Sequence, residues 1–363
     1  MSGSIPSGVG AQSISKIVTV VIPTLNGEHR LPTCLRSLIH QTFAREEMEI
    51  IVIDDLSSDK TVEVCKEFEV DLVLQSGKRS IEYSKFLGLI NASGKYLLFL
   101  DDDNELISND WIKTGVQLLE SNPSTGSFQS FRYFYSVDMN LINRYNALIG
   151  ANDPIIFLMG KSDKYPYFED FFKKKNWIKS SRLLDTNNIA VRCEPSKVPT
   201  FGSNGFMTPS NLLKGFQTTE YFYHLDYCLY LNETTTNEFI LSELSTAHYH
   251  SESVRHFVKK CRRNARIFLD DRISNVYQRE YNYSSQKLKI VFASFLSLTL
   301  IFPTYQAFRG FLKIQDRAWF LHPVLCFIVT STYSFSFCTH LFRVVVSKVH
   351  SSMHKRIESF LMK

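Results

Sequence analysis

Lys95–Leu106 reads KYLLFLDDDNEL, and the fold turns on how this stretch is read. Tyr96 to Leu100 is a short unbroken apolar run, the pattern of a strand buried on both faces of a parallel sheet. It stops at three consecutive carboxylates, Asp101, Asp102 and Asp103. Like charges at the tip of a buried strand repel and gain nothing by themselves. A divalent cation that brings phosphates with it would account for them. In extended backbone Asp101 and Asp103 point to one side while Asp102 turns away. The plain alternative is a solvated acidic turn.

The residues upstream favour the first reading. Ile17 to Pro23 (IVTVVIP) is apolar and β-branched, a first strand, followed by the polar turn Thr24–His29. Leu31 to Thr42 carries Leu31, Cys34, Leu35, Leu38 and Ile39 at helical spacing. Met48 to Ile53 is a second strand that also ends in carboxylates, Asp54 and Asp55. Ser58 or Asp59 is the expected N-cap of the next helix. A strand over Val70–Gln75 and a helix over Ser80–Asn91 lead back to Lys95. The alternation is β-α-β-α-β-α-β, a doubly wound α/β sheet whose ligands bind at the carboxyl ends of strands. The Thr24 turn, Asp54-Asp55 and the Asp101 triplet all fall at such ends.

These residues carry a resemblance. VVIPTLNGEHRLPTCLRSL, EIIVIDDLSSDKT and ASGKYLLFLDDDNEL, spanning Lys16 to Leu106, resemble the nucleotide-diphospho-sugar domain of glycosyltransferase family 2, which has the GT-A fold. The resemblance implies a mixed, Rossmann-like sheet and a donor site built from Pro23, Thr24, Glu28, Asp54, Asp55, Lys85, Asp101 and Asp102. The family's DxD motif falls on Asp101 and Asp103. It implies that Asp101 lies near the ribose and that Asp103 ligates Mg²⁺ or Mn²⁺ on the diphosphate. One departure stands out. Where many members have Ala-Arg-Asn-x-Gly, this chain has Ser84-Lys85-Phe86-Leu87-Gly88, so Lys85 keeps the cation and Phe86 replaces the amide.

Further on, Trp111 to Leu119 fits a helix and Ser127 to Tyr135 alternates as a strand does. DKYPYFEDFFKKKNW, Asp163 to Trp177, reads as an acceptor-side loop or a solvated face. Ser203 to Phe216 resembles the glycine turn, strand and helix below the family's acceptor site. Thr219 to Asn232 resembles the helix that presents the catalytic carboxylate. The Glu-Asp-x-Asp pattern of that helix is Tyr223-His224-Leu225-Asp226 here. Asp226 is then the candidate base, with His224 as a second polar group. Its chemical task is to take the proton of an acceptor hydroxyl as that oxygen attacks the anomeric carbon. Glu238 to Leu244 is a closing strand. In related enzymes a His after it reaches the metal or diphosphate, which singles out His248 and His250.

The 363 residues are 44% hydrophobic and include 29 Phe and 17 Tyr, with a formal net charge of +5. Seven cysteines without a CxxC pair read as reduced thiols, not a disulfide framework or zinc site. The sequons at Asn91, Asn232 and Asn282 are then accidental. Residues 1–15 have no basic or apolar leader region and read as a disordered tail. The expected organisation is a GT-A domain over 16–250 and a basic helical connector over 251–288. Two membrane helices over 289–343 and a basic tail over 344–363 follow. Ile290–Phe308 and Ala318–Phe342 are each uncharged and long enough for a hydrocarbon core of roughly 30 Å. Buried or in-plane helices are the alternative. The basic residues flanking these segments point to a catalytic domain on the cytosolic side of the cytoplasmic membrane.

The expectation is an inverting, metal-dependent glycosyltransferase that uses a nucleotide-diphosphate sugar donor and a lipid-linked or envelope glycan acceptor. The membrane is a partner and nucleic acid is not. A polyprenyl-phosphate sugar synthase is one rival, and a non-catalytic membrane-anchored scaffold of the same fold is another.

Overall fold

A computed structural model describes residues 16–169, 175–202, 204–213, 215–216, 220–234, 236–273 and 287–361. The expected N-terminal tail lies outside these residues. The first half is β1 (Val18–Thr24), α1 (Leu31–Ile39), β2 (Met48–Asp54), α2 (Thr61–Glu67), β3 (Leu72–Gln75), α3 (Ile81–Asn91), β4 (Tyr96–Phe99), β5 (Asn104–Leu106) and α4 (Trp111–Ser121). There follow β6 (Thr125–Ser130), α5 (Leu141–Ile149), α6 (Pro154–Leu158), β7 (Ile178–Leu183), β8 (Asn188–Cys193), β9 (Phe206–Pro209), α7 (Ser210–Leu213), α8 (His224–Glu233), β10 (Glu238–Ser242) and β11 (Thr246–His248). Four helices end the described chain: α9 (Val254–Ile273), α10 (Lys287–Thr299), α11 (Ile301–Lys313) and α12 (Leu321–Leu361).

The main sheet has nine strands in the order β3-β2-β1-β4-β9-β6-β10-β8-β7. Strands β1 to β4 are parallel, as their apolar runs predict. Strand β9 then enters antiparallel between β4 and β6. Alternate side chains feed two cores. Val20, Ile22, Val52 and Leu98 pack beneath α1 and α4, with Leu35, Leu38 and Trp111. Val21, Ile53, Leu97 and Phe99 pack on the other face with Phe222 and Tyr227. Each fully buried apolar side chain contributes about 1.5–3 kcal/mol, so the central strands anchor everything attached to their ends.

Several expectations need correction. The N-cap of α2 is Lys60, not Ser58 or Asp59. Asp59 instead accepts from the Glu28 and Thr61 N–H groups, and the Ser58 N–H bonds Asn26. Strand β6 stops at Ser130, because its partner β10 ends at Ser242 and the chain turns to run beside β11. Strands β7 and β8 were not anticipated.

The first apolar segment is not a straight span. It breaks at Leu300, which has φ 60°, and α10 and α11 meet at a bend of 79°. Pro303 explains the place of the break: its ring would clash with the Thr299 carbonyl of a continuous helix. By length and composition, Arg317–His340 is one helix able to cross a membrane, or there are two if the bent pair is a single span.

The C-terminal helices are joined to the α/β domain by buried and half-buried polar bonds. Asp316 accepts from Tyr135 (2.6 Å) and pairs with Arg144 (3.1 Å). Tyr145 bonds His322 at 2.8 Å, and Tyr333 donates to Asp153 at 2.6 Å.

Candidate active site at the carboxyl ends of the strands

Beyond Phe99 the chain leaves the sheet in a turn closed by Asn104. Its N–H donates to the Asp101 carbonyl at 3.0 Å, and its side-chain oxygen accepts from the Asp101 N–H at 3.1 Å. The strand's alternation therefore ends before the triplet, and each carboxylate takes its own direction. Asp101 pairs with Lys85 of α3 at 3.0 Å, a lysine that is 4% exposed. Asp102 faces α1, accepting from Thr24 Oγ1 at 2.7 Å and from Arg30 Nη2 at 2.9 Å. Asp103 faces β11 and α9, with His248 Nε2 at 3.3 Å and Lys260 Nζ at 3.4 Å. Antiparallel pairing of β5 with β11 sets His248 opposite Asn104.

The electrostatics follow from these partners. Burial alone would push the Asp103 carboxyl up, but His248, Lys260 and His250 outweigh it and hold it well below the usual carboxylate range. Asp102 moves up instead, through burial and the adjacent Asp103 charge, against the pull of Arg30 and Thr24.

The other sequence-predicted residues ring the same strand ends. Pro23 is buried in β1 beside Ile53. Asp55 accepts from the Arg79 N–H at 2.8 Å and from the Ser76 hydroxyl. Asp54 closes its own turn by accepting from the Ser57 N–H at 3.1 Å, and Glu28 accepts from the Lys60 N–H at 3.0 Å. These two carboxylates brace loops. Asn26, Leu56 and Arg79 all take positive φ, at 51°, 63° and 49°, in the loops beyond β1, β2 and β3. Left-handed backbone at three neighbouring loops, one of them at a leucine, is the kind of strain that collects at functional sites.

Asp226 and His224 share the first turn of α8. Two residues apart, they project about 200° from one another. Asp226 is 2% exposed. His224 is half-buried, and its imidazole is pushed well below its ordinary pKa by burial and then by the charges of Lys85 and Lys164.

Several participants went unread in the sequence. Arg30, Lys260 and Asn104 hold the triplet, and Asn104 also donates to Asn204 at 3.1 Å. Asn204 donates to Tyr133 at 2.7 Å, and Tyr133 donates to Asp163. Only Asn104, next to the triplet, offered a local signal.

A metal would find a partial donor set. Asp103 and His248 supply one carboxylate and one imidazole, and His248 Nδ1 is buried without a hydrogen-bond partner among the described residues. No group of three His, Cys, Asp or Glu side chains stands ready to hold an ion among those residues.

Residues 19–187 match the profile described as glycosyl transferase family 2. The chain carries a family 2 glycosyltransferase domain. The chain is 34% identical over 121 residues to glycosyltransferase GlyA of Streptococcus pneumoniae, covering 31% of this chain and 17% of that protein. It is also 37% identical over 97 residues to the GalNAc(5)-diNAcBac-PP-undecaprenol beta-1,3-glucosyltransferase of Campylobacter jejuni, covering 25% of this chain and 31% of that one. The matched stretch thus spans under a third of either relative. The mannosyltransferase PcManGT of Pyrobaculum calidifontis, solved with GDP-Man and Mn²⁺, has the same fold. It aligns with a TM-score of 0.51 and 13% identity over 87% of this chain and 86% of its own.

Proposed function

We propose that the family 2 domain transfers a sugar from a nucleotide-diphosphate donor, with inversion, to a lipid-linked or envelope glycan acceptor at a membrane. The observation that carries this reading is the convergence of Thr24, Asp55 and the Asp101–Asp103 turn at adjacent strand ends, ringed by Lys85, Arg30, His248 and Lys260. Carboxylates suit a nucleoside and a metal, and the cations suit a diphosphate leaving group. Asp103 and His248 would hold Mg²⁺ or Mn²⁺, which when bound would neutralise charge on that leaving group. Lys85 and Lys260 would do the same from the protein side.

The acceptor hydroxyl must lose a proton, and the first turn of α8 offers two groups for this. His224 is half-buried and neutral at pH 7, so it can accept the proton, but its lowered pKa makes it a weak base. Asp226 is the second candidate. A membrane location is supported by the Arg317–His340 helix and by the exposed apolar faces of α10 and α11.

The test is nucleotide release by detergent-solubilised protein from a panel of UDP-, GDP- and dTDP-sugars with Mn²⁺. Release from one donor, lost in Asp103→Ala, supports the reading. His224→Gln and Asp226→Asn then identify the base by which variant removes transfer while keeping nucleotide binding. Silence from every donor, without nucleotide binding, would leave the scaffold reading.

A further inference from the structure

A line of buried polar side chains runs from Asp163 to the carboxylate turn. Tyr133 donates its hydroxyl proton to Asp163, and its oxygen accepts from Asn204 Nδ2 at 2.7 Å. Asn204 Oδ1 accepts from Asn104 Nδ2 at 3.1 Å, and the same Asn104 nitrogen donates to Asp103 Oδ1 at 3.3 Å. Asn104 Oδ1 is used as well, by the Asp101 N–H. Asp163, Tyr133, Asn204, Asn104 and Asp103 are all buried. Asn104 therefore grips the turn at both ends of the triplet and is itself held from behind.

The backbone fixes each link. Asn204 has φ 56°, a left-handed conformation that asparagine tolerates better than most residues, and the Gly205 N–H bonds the Phe99 carbonyl at the end of β4 at 3.2 Å. Tyr133 runs beside β11, where the Phe134 N–H bonds the Thr246 carbonyl at 2.9 Å, and its ring lies 5.5 Å from that of His248. The residues after Asp163 are tied down on two sides: the Lys164 N–H bonds the Gly150 carbonyl at 3.0 Å and the Tyr165 N–H bonds the Phe131 carbonyl at 2.9 Å. A Cβ at Gly150 would strike the Lys164 carbonyl. A buried carboxylate costs desolvation, and burial pushes the Asp163 carboxyl up accordingly. An apolar side chain would spare that cost. What the aspartate adds is direction for the groups in line with it, because satisfied buried networks rigidify what they touch.

We infer that Asp163, Tyr133 and Asn204 are positioning residues for the metal-binding turn, holding Asn104 and, through it, the Asp103 carboxylate in the orientation that takes a divalent cation. This deepens the transferase reading and rests on it for the cation; the ordering of the turn does not depend on it. Groups that orient a metal ligand from behind typically carry about 10–100-fold in metal affinity.

The test titrates Mn²⁺ into the full chain in a neutral detergent, with UDP and separately with GDP, and reads free Mn²⁺ by electron paramagnetic resonance. Tyr133→Phe removes one hydroxyl and keeps the ring. It is expected to weaken Mn²⁺ binding about 10–100-fold and to leave nucleotide affinity without metal unchanged. Asp163→Ala should lose as much, and the double variant no more than the worse single one, as for links of one chain. Tyr145→Phe is the control for a merely structural role. It removes the hydroxyl of another buried tyrosine, bonded to His322 and outside this line, and should keep the wild-type Mn²⁺ affinity. Wild-type Mn²⁺ affinity in Tyr133→Phe, an equal loss in Tyr145→Phe, or additive losses in the double variant would overturn the inference. Absence of Mn²⁺ binding in the wild type with either nucleotide would defeat the metal reading alone. Hydrogen exchange then decides the positioning: Tyr133→Phe, unlike Tyr145→Phe, should speed exchange of the Asp101 and Asn104 amides and leave β1 protected. Unchanged exchange at those two amides would overturn it.

Discussion

At the scale of single residues, the proposed donor site leaves no room for a side chain at Gly27. A Cβ at Gly27 would fall 2.3 Å from Thr24 Oγ1 and 2.8 Å from Asp102 Oδ2, into the hydrogen bond joining β1 to the carboxylate turn. Gly27→Ala must part those groups. We expect it to cost about 1–3 kcal/mol of stability, as overpacking does, and to lower nucleotide affinity by more than Leu25→Ala does. Thermal unfolding and nucleotide titration on the same samples measure both. Lys161 is a buried lysine that costs the folded state. Burial, and then the charge of Lys289, push its pKa down to about 8. An unfolded lysine titrates near 10.4, so between about pH 8 and 10.4 the unfolded chain binds more protons and wild-type stability rises with pH. Lys161→Met removes that group. Its expected effect is a gain of about 1 kcal/mol at pH 7, with the shift discounted for partial exposure. The gain should shrink as pH rises through 8 toward 10. Unfolding midpoints across that range check it, and a gap that widens with pH would contradict it.

At the scale of elements, the contrast between what the sequence disclosed and what it hid has physical causes. Strands β1, β2 and β4 are buried on both faces, so unbroken apolar runs announce them. Strand β7 has an opposite character: after Ile178 it is exposed along its length, with no alternation to detect. Lys85 was legible because the family pattern places a cation before the carboxylate strand, and His248, together with His250, because related enzymes carry a His after the closing strand. Lys260 was visible only as one charge of a basic helix, since its contact with Asp103 spans 157 residues. The bend between α10 and α11 was half legible, because Pro303 is in the sequence but a left-handed Leu300 cannot be read there. What seats α11 against the turn before α12 is Gly310, where a Cβ would lie 2.4 Å from Trp319 Cδ2. Trp319 is fully buried and belongs to the core shared with α5. Gly310→Ala is expected to lose about 1–3 kcal/mol by overpacking and to raise hydrogen exchange in α11 and α12 but not in β1–β4. Uniform loss of protection across the sheet would show that the helices and the sheet unfold as one unit.

At the scale of the whole molecule, the C-terminal helices have two faces with different obligations. One face is shared with the α/β domain through Ile142, Tyr145, Leu148 and Trp319 and through the Asp316 and Asp153 bonds. The other carries Val291, Phe292, Phe295, Phe308, Leu312, Val324 and Phe335, each 52% exposed or more. Exposed large apolar side chains, where they gather into a patch, mark a membrane or protein contact in folded proteins. Exposed cations on α9, among them Lys259, Arg262 and Arg263, add attraction for an anionic leaflet. The two contributions separate under salt, because surface charge is screened within about 3 Å at 1 M while apolar burial is not. We expect the full chain to float with phosphatidylcholine vesicles and to remain bound at about 1 M salt, with anionic lipid adding only a salt-sensitive increment. Phe292→Asp with Phe295→Asp, both on the exposed face of α10, is expected to reduce flotation while leaving nucleotide binding at the strand ends unchanged. Release of the wild-type chain by salt alone would instead assign its membrane attraction to α9 and leave the apolar face to a protein partner.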